Sequence, residues 1–210
     1  MKIQFKFGAL LLLLSILFSS NLKYTIIYLI CAAAHELGHL AAAKFLRIKI
    51  SEMSFDIAGA KIVPAGQIMS YRSEFLLCAA GPLASVLLSA ISMWSVIHLG
   101  AKISIPYVYS IINSDSIDKQ AALLLISVFS LLQAAINLIP ISDFDGGRMM
   151  NSVIVFFFGE RVGQCCSKIT TFIFALILWM ASVYVLIRAG QGLSLFSFSL
   201  CMFLKILDTT

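Results

Sequence analysis

Apolar runs about as long as a bilayer is thick recur along this sequence, near residues 7–20, 24–46, 75–99, 121–139, 170–187 and 193–207, and no other feature limits its fold as severely. Inside hydrocarbon every backbone N–H and C=O needs a partner from the protein, which leaves helices or a closed barrel. Runs of this length without period-two alternation read as helices. Composition agrees: 60% of the 210 residues are hydrophobic, 12% are charged, and the mean hydropathy is +0.99. The expectation is an all-α polytopic membrane protein of about six transmembrane helices. After six crossings no length remains for a separate soluble domain, so residues 1–210 form a single membrane-embedded domain. The first run follows Lys2 and Lys6 in the manner of a signal peptide. Phe18 and Ser20 make a poor small-x-small cleavage site, and the next run begins at once, so it reads as a retained span.

Basic residues test this division. With the N-terminus in the cytoplasm, that side collects Lys2, Lys6, Lys44, Arg47, Lys49, Lys61, Arg72, Arg148, Arg161, Lys168 and Lys205. The other side keeps Lys23, Lys102, Lys119 and Arg188. The bias predicts an integral membrane protein with both termini inside. The net charge of +5 reports this orientation, and no basic block with interleaved aromatics suggests a nucleic-acid partner. Residues 149–158 are apolar but too few to span, and read as half-embedded. Between the second and third spans, residues 48–72 are punctuated by Gly59, Pro64 and Gly66 and carry β-capable pieces such as Ala60 to Val63. They predict a short cytoplasmic segment that is irregular or β-hairpin-like. Cys31, Cys78, Cys165, Cys166 and Cys201 lack metal-ligand spacing and read as reduced apolar fillers.

The second span carries His35-Glu36-Leu37-Gly38-His39. On a helix, positions i and i+4 lie one turn apart on one face, so both imidazoles can reach one Zn²⁺ with a carboxylate beside them. Three ionisable groups within five residues of a span need a cavity, a metal or one another. Zinc held by three protein groups keeps a position open for water, and Glu36 can take the proton as that water attacks a carbonyl. A third ligand must come from elsewhere at the same depth. The cytoplasmic end of the fourth span offers Asn137-Leu138-Ile139-Pro140, then Asp143 and Asp145-Gly146-Gly147. Pro140 ends the helix, and the glycines permit a sharp turn that sets a carboxylate on irregular backbone. Spacing alone leaves Asp143 and Asp145 both open, and leaves Asn137 either a packing amide or a catalytic group.

These motifs resemble the site-2 protease family of intramembrane zinc metalloproteases: His35-Glu36-x-x-His39 in one helix, and about a hundred residues later Asn137-x-x-Pro140 with Asp145-Gly146. Together with Ala79-Ala80-Gly81-Pro82-Leu83, they are most similar to the bacterial stage IV sporulation protein FB group. The resemblance covers about Lys23 to Arg148. It implies that His35, His39 and Asp145 bind one zinc ion and that Glu36 is the catalytic carboxylate. Asn137 would position substrate or stabilise the oxyanion. The matching Asp-Gly step selects Asp145 over Asp143. The implied activity is hydrolysis of peptide bonds in membrane-embedded or membrane-associated proteins, such as a pro-sigma factor or another membrane-tethered precursor. The active site would open to the cytoplasm, and a membrane partner would supply regulation.

Further expectations concern packing. Ala34, Gly38 and Ala42 form a small-residue stripe that would bring the fourth span, and with it Asp145, close to the histidines. Gly81-Pro82 reads equally as a kink or as ordinary membrane-helix content. Ser54 to Ser70 could pair as a strand with an unwound substrate. His98 belongs to the opposite membrane surface. The competing reading is a polytopic transporter or metal-handling protein that uses the same His/Asp cluster. Transport needs a path open to both faces, whereas these groups gather toward one. A metal-binding scaffold without catalysis would need no base such as Glu36.

Overall fold

A computed structural model describes residues 2–5, 22–48, 50–56, 59–64, 69–100, 118–189 and 193–208. In chain order these form β1 (Lys2–Phe5), α1 (Leu22–Phe45), β2 (Ile50–Asp56), β3 (Gly59–Pro64), α2 (Tyr71–His98), α3 (Lys119–Asn137), α4 (Asp145–Phe158), α5 (Glu160–Ala189) and α6 (Leu193–Asp208). The strands make one small sheet in the order β1-β2-β3. β1 is parallel to β2, and β2 is antiparallel to β3 with an irregularity between Ile50 and Glu52.

Among the described residues, four helices are long and apolar enough to cross a membrane, over Tyr24–Phe45, Tyr71–His98, Lys119–Asn137 and Glu160–Arg188. They coincide with the expected second to fifth spans. Their outer faces carry large exposed apolar side chains such as Leu87, Trp94 and Ile187, as a surface in contact with lipid requires. The span expected at 7–20 lies outside the described residues. That expected at 193–207 is helix α6, whose 16 residues fall short of the roughly 20 a perpendicular crossing takes.

The fifth span begins at Glu160, ten residues before the expected boundary at 170. Residues 160–169 are too polar to register as an apolar run, yet they continue the helix, with Gln164 Nε2 donating to Glu160 Oε1 at 3.3 Å across one turn. Gly159, with φ +86°, separates this helix from α4 in a conformation that only glycine adopts freely. Residues 149–158 belong to a continuous helix that starts at Asp145.

Helices α1, α2 and α3 form the centre of the bundle. Gly38 allows α1 to approach α2 so closely that an added Cβ would lie 2.6 Å from both the Ala80 carbonyl oxygen and the Ala84 Cβ. The small-residue stripe therefore packs on the third span, a correction to the expected contact with the fourth. Small residues specify a close approach without naming the partner helix. The α2/α3 pair is joined by Val96, Ala121 and Leu124, and by Ser89 and Ser127, whose hydroxyls lie 3.0 Å apart. Ser70 and Asp118 cap α2 and α3, accepting from the backbone N–H of Ser73 and Ala121.

The connection from α3 to α4 is held down from the other side of the molecule. Ile141 and Phe144 are buried against Met202 of α6, and the Ser142 N–H donates to Thr171 Oγ1 of α5 at 2.9 Å. α5 and α6 are themselves pinned by Ser182 and Ser199, 2.6 Å apart.

Candidate metal centre

His35 and His39 occupy successive turns of α1 and face α2, both buried. Contacts between the two helices run in opposite directions along the chain. His35 Nδ1 lies 3.0 Å from Ser85 Oγ, and His39 Nδ1 lies 2.8 Å from the Leu77 carbonyl oxygen. A carbonyl only accepts, so His39 carries its proton on Nδ1, and in the neutral ring Nε2 keeps its lone pair free. Each ring is thus oriented through one nitrogen and presents the other.

The presented atoms converge. The two Nε2 atoms lie 3.2 Å apart, and Asp145 Oδ2 lies 3.1 Å from that of His35 and 3.2 Å from that of His39. All three side chains are largely removed from solvent, with Asp145 12% exposed. A proton can be shared by only two of three such atoms, whereas one cation serves all three. Zinc bonds of about 2.0–2.1 Å in a tetrahedron place neighbouring ligand atoms about 3.3–3.4 Å apart. The observed triangle is within a few tenths of an ångström of that edge, so the residues present fit the ion.

Gly81 of α2 closes the back of this triangle. A Cβ there would lie 2.5 Å from His39 Cε1 and 2.7 Å from His35 Nε2, and closer still to His39 Nε2. Any side chain would occupy the volume into which the two nitrogens point. Gly81 is therefore part of the centre rather than helix filler.

Asp145 is the first residue of α4 and not a member of an irregular turn, which corrects the expectation from its sequence neighbours. The turn lies earlier, between Leu138 and Phe144, and Gly146 and Gly147 are already helical. They are glycine because the preceding loop folds back over the first turn of α4. A Cβ on Gly146 would overlap the Leu138 carbonyl, and one on Gly147 the Ile141 carbonyl.

The remaining candidates are placed as follows. Glu36 follows His35 on α1 and is half-buried. Asn137 is the last residue of α3, also half-buried, at the start of the connection that delivers Asp145. Asp143 lies within that connection and is not among the three converging groups. His98 ends α2, packed against Trp94 with ring centroids 4.1 Å apart and the planes tilted by 36°, more than three turns from Ser85. Ser85, the Leu77 carbonyl and Gly81 were not assigned to the site from sequence. One signal was visible: Ser85, Ser89 and Ser92 recur at helical spacing in an apolar span, and all three are buried.

The profile of peptidase family M50 matches residues 23–181, about three quarters of the chain. Among solved structures, the site-2 protease from Methanocaldococcus jannaschii superposes with a TM-score of 0.68 at 21% sequence identity, over 98% of this chain and 89% of that one. No curated protein matches.

Proposed function

The chain belongs to peptidase family M50, and from that premise we propose that it is an intramembrane zinc endopeptidase of the site-2 type. The observation that carries this reading is the triangle of His35 Nε2, His39 Nε2 and Asp145 Oδ2, with edges of 3.1–3.2 Å, in helices of a membrane protein. In this reading the three side chains hold one zinc ion, which when bound supplies Lewis acidity at their point of convergence. Glu36 accepts a proton from the attacking water and returns it to the leaving amide nitrogen. The Asn137 amide donates to the oxyanion or holds the substrate backbone. Ser85 and Leu77 keep the imidazoles in the required tautomer and orientation.

A helical substrate hides its peptide bonds, so the target must be held unwound. β3 lies at an edge of the sheet, which supports pairing of the substrate as an added strand. The substrates are membrane-embedded or membrane-associated proteins. Likeness of the motifs to the stage IV sporulation protein FB group favours a pro-sigma factor or a comparable tethered precursor. The distribution of Lys and Arg supports cytoplasmic termini and a site opening to the cytoplasm, with regulation by a separate membrane partner.

The test is purification in detergent with metal analysis, alongside co-expression of wild type and Glu36→Gln with a membrane substrate. The expected outcome is about one zinc per chain in both proteins and a loss of cleavage of about 10²–10⁴-fold in the variant. Folded wild-type protein without stoichiometric zinc would overturn the reading, as would undiminished cleavage by Glu36→Gln.

A further inference from the structure

A groove of about 380 Å³ runs between the N-terminal end of α2 and the C-terminal half of α4, walled by Phe75, Leu76, Val153, Phe156 and Phe157. It is distinct from the metal centre. α2 enters the membrane at Tyr71 and reaches the histidines only at Leu77, whereas α4 starts at Asp145 and reaches the groove two turns later. Its mouth is therefore at the membrane boundary and its walls are apolar. We infer that this groove binds one acyl chain of an anionic phospholipid, with the headgroup phosphate on Arg72.

Three observations select this occupant. First, Arg72 stands at the groove with its guanidinium over the Phe156 ring, 5.8 Å from the centroid, so positive charge is fixed beside an apolar slot. Glu74, one carboxylate in the same turn of α2, is committed to Arg148 at 3.6 Å. Second, the charged end and the apolar length are arranged as in a phospholipid. Arg72 is the second residue of α2, at the membrane boundary, and Phe75, Leu76 and Val153 carry the groove inward from it. Third, Arg72 is the one charged group among the residues that line the groove, so the lining complements a single anionic head on an apolar chain. The lipid would lie against the helix that carries Asp145.

Titration of the delipidated full-length protein with phosphatidylglycerol or phosphatidylcholine, followed by native mass spectrometry, tests the site without reference to proteolysis. Wild type should bind phosphatidylglycerol about fivefold more tightly than phosphatidylcholine, and Arg72→Gln should erase that preference. Val153→Trp, which fills the slot, should weaken binding of both lipids, with Val153→Phe as the substitute should the larger side chain prevent folding. Equal affinities in wild type overturn the proposal, and so does unchanged lipid binding in a folded Val153 variant. If that variant keeps its lipid but raises KM for a membrane substrate, the groove belongs to the substrate and the proposal also fails.

Discussion

The two halves of the metal centre are built by different means. The imidazoles stand on a membrane helix whose backbone satisfies itself, and both are aimed by hydrogen bonds to a single neighbouring helix at 2.8 and 3.0 Å. The carboxylate arrives at the end of a non-helical connection, held by a 2.9 Å bond to α5 and by burial of Ile141 and Phe144 against α6. The first half is local, contained in α1 and α2. The second depends on helices that contribute no ligand. An irregular backbone at membrane depth is tolerated only where protein groups complete its hydrogen bonds. The C-terminal helices are thus the support of a site they do not touch.

The sharpest break of the local half is Gly81→Ala. The new methyl would intrude on both Nε2 atoms, and neither ring can retreat without losing its bond to Ser85 or Leu77. Overpacking of this kind costs about 1–3 kcal/mol, so zinc affinity, read by competition with a chelator, should fall about 5- to 150-fold. Gly38→Ala, which instead presses on Ala80 and Ala84, should lower thermal stability through the helix seam. Zinc affinity unaffected by Gly81→Ala would remove α2 from the centre.

Ser85→Ala is the milder probe of the same half. It leaves the helix intact and removes the partner of His35 Nδ1, and loss of such a group behind a ligand typically costs 10–100-fold in metal affinity. Ser85→Thr, which keeps a hydroxyl, should recover most of it. A uniform fall in stability with unchanged zinc affinity would make Ser85 a packing residue.

The same division explains what could be read from sequence. His35 and His39 were legible because helix geometry is local, and four residues along one turn suffice to predict that two rings share a face. The apolar runs located α1, α2 and α3 to within a few residues for the same reason. Asp145 was visible as a candidate, but its surroundings were misread. Asp-Gly-Gly suggests a turn, whereas the glycines are needed because Leu138 and Ile141 pass against the first turn of α4. That contact depends on how the connection folds back. The early start of α5 was hidden by the polarity of residues 160–169. The stripe around Gly38 announced a close approach but could not say to which helix, and the bond from Ser142 to Thr171 joins residues 29 positions apart.

That bond supplies the finest test of the comparison. Thr171→Val keeps the shape of a buried side chain and removes only the acceptor of the Ser142 N–H. A hydrogen bond of this sort contributes about 0.5–1.5 kcal/mol, so the change should lower zinc affinity by about 2- to 10-fold if the bond serves mainly to set the carboxylate in place. Should it serve only general stability, the melting temperature falls equally with and without zinc, and affinity stays constant. Combining Thr171→Val with Ser85→Ala then asks whether the two halves are separate. The residues act on different ligands and share no partner, so their effects on zinc affinity should add to within about 0.5 kcal/mol. A larger coupling would mean that α5 also helps to aim the imidazoles, and the distinction between a local half and a supported half would fail.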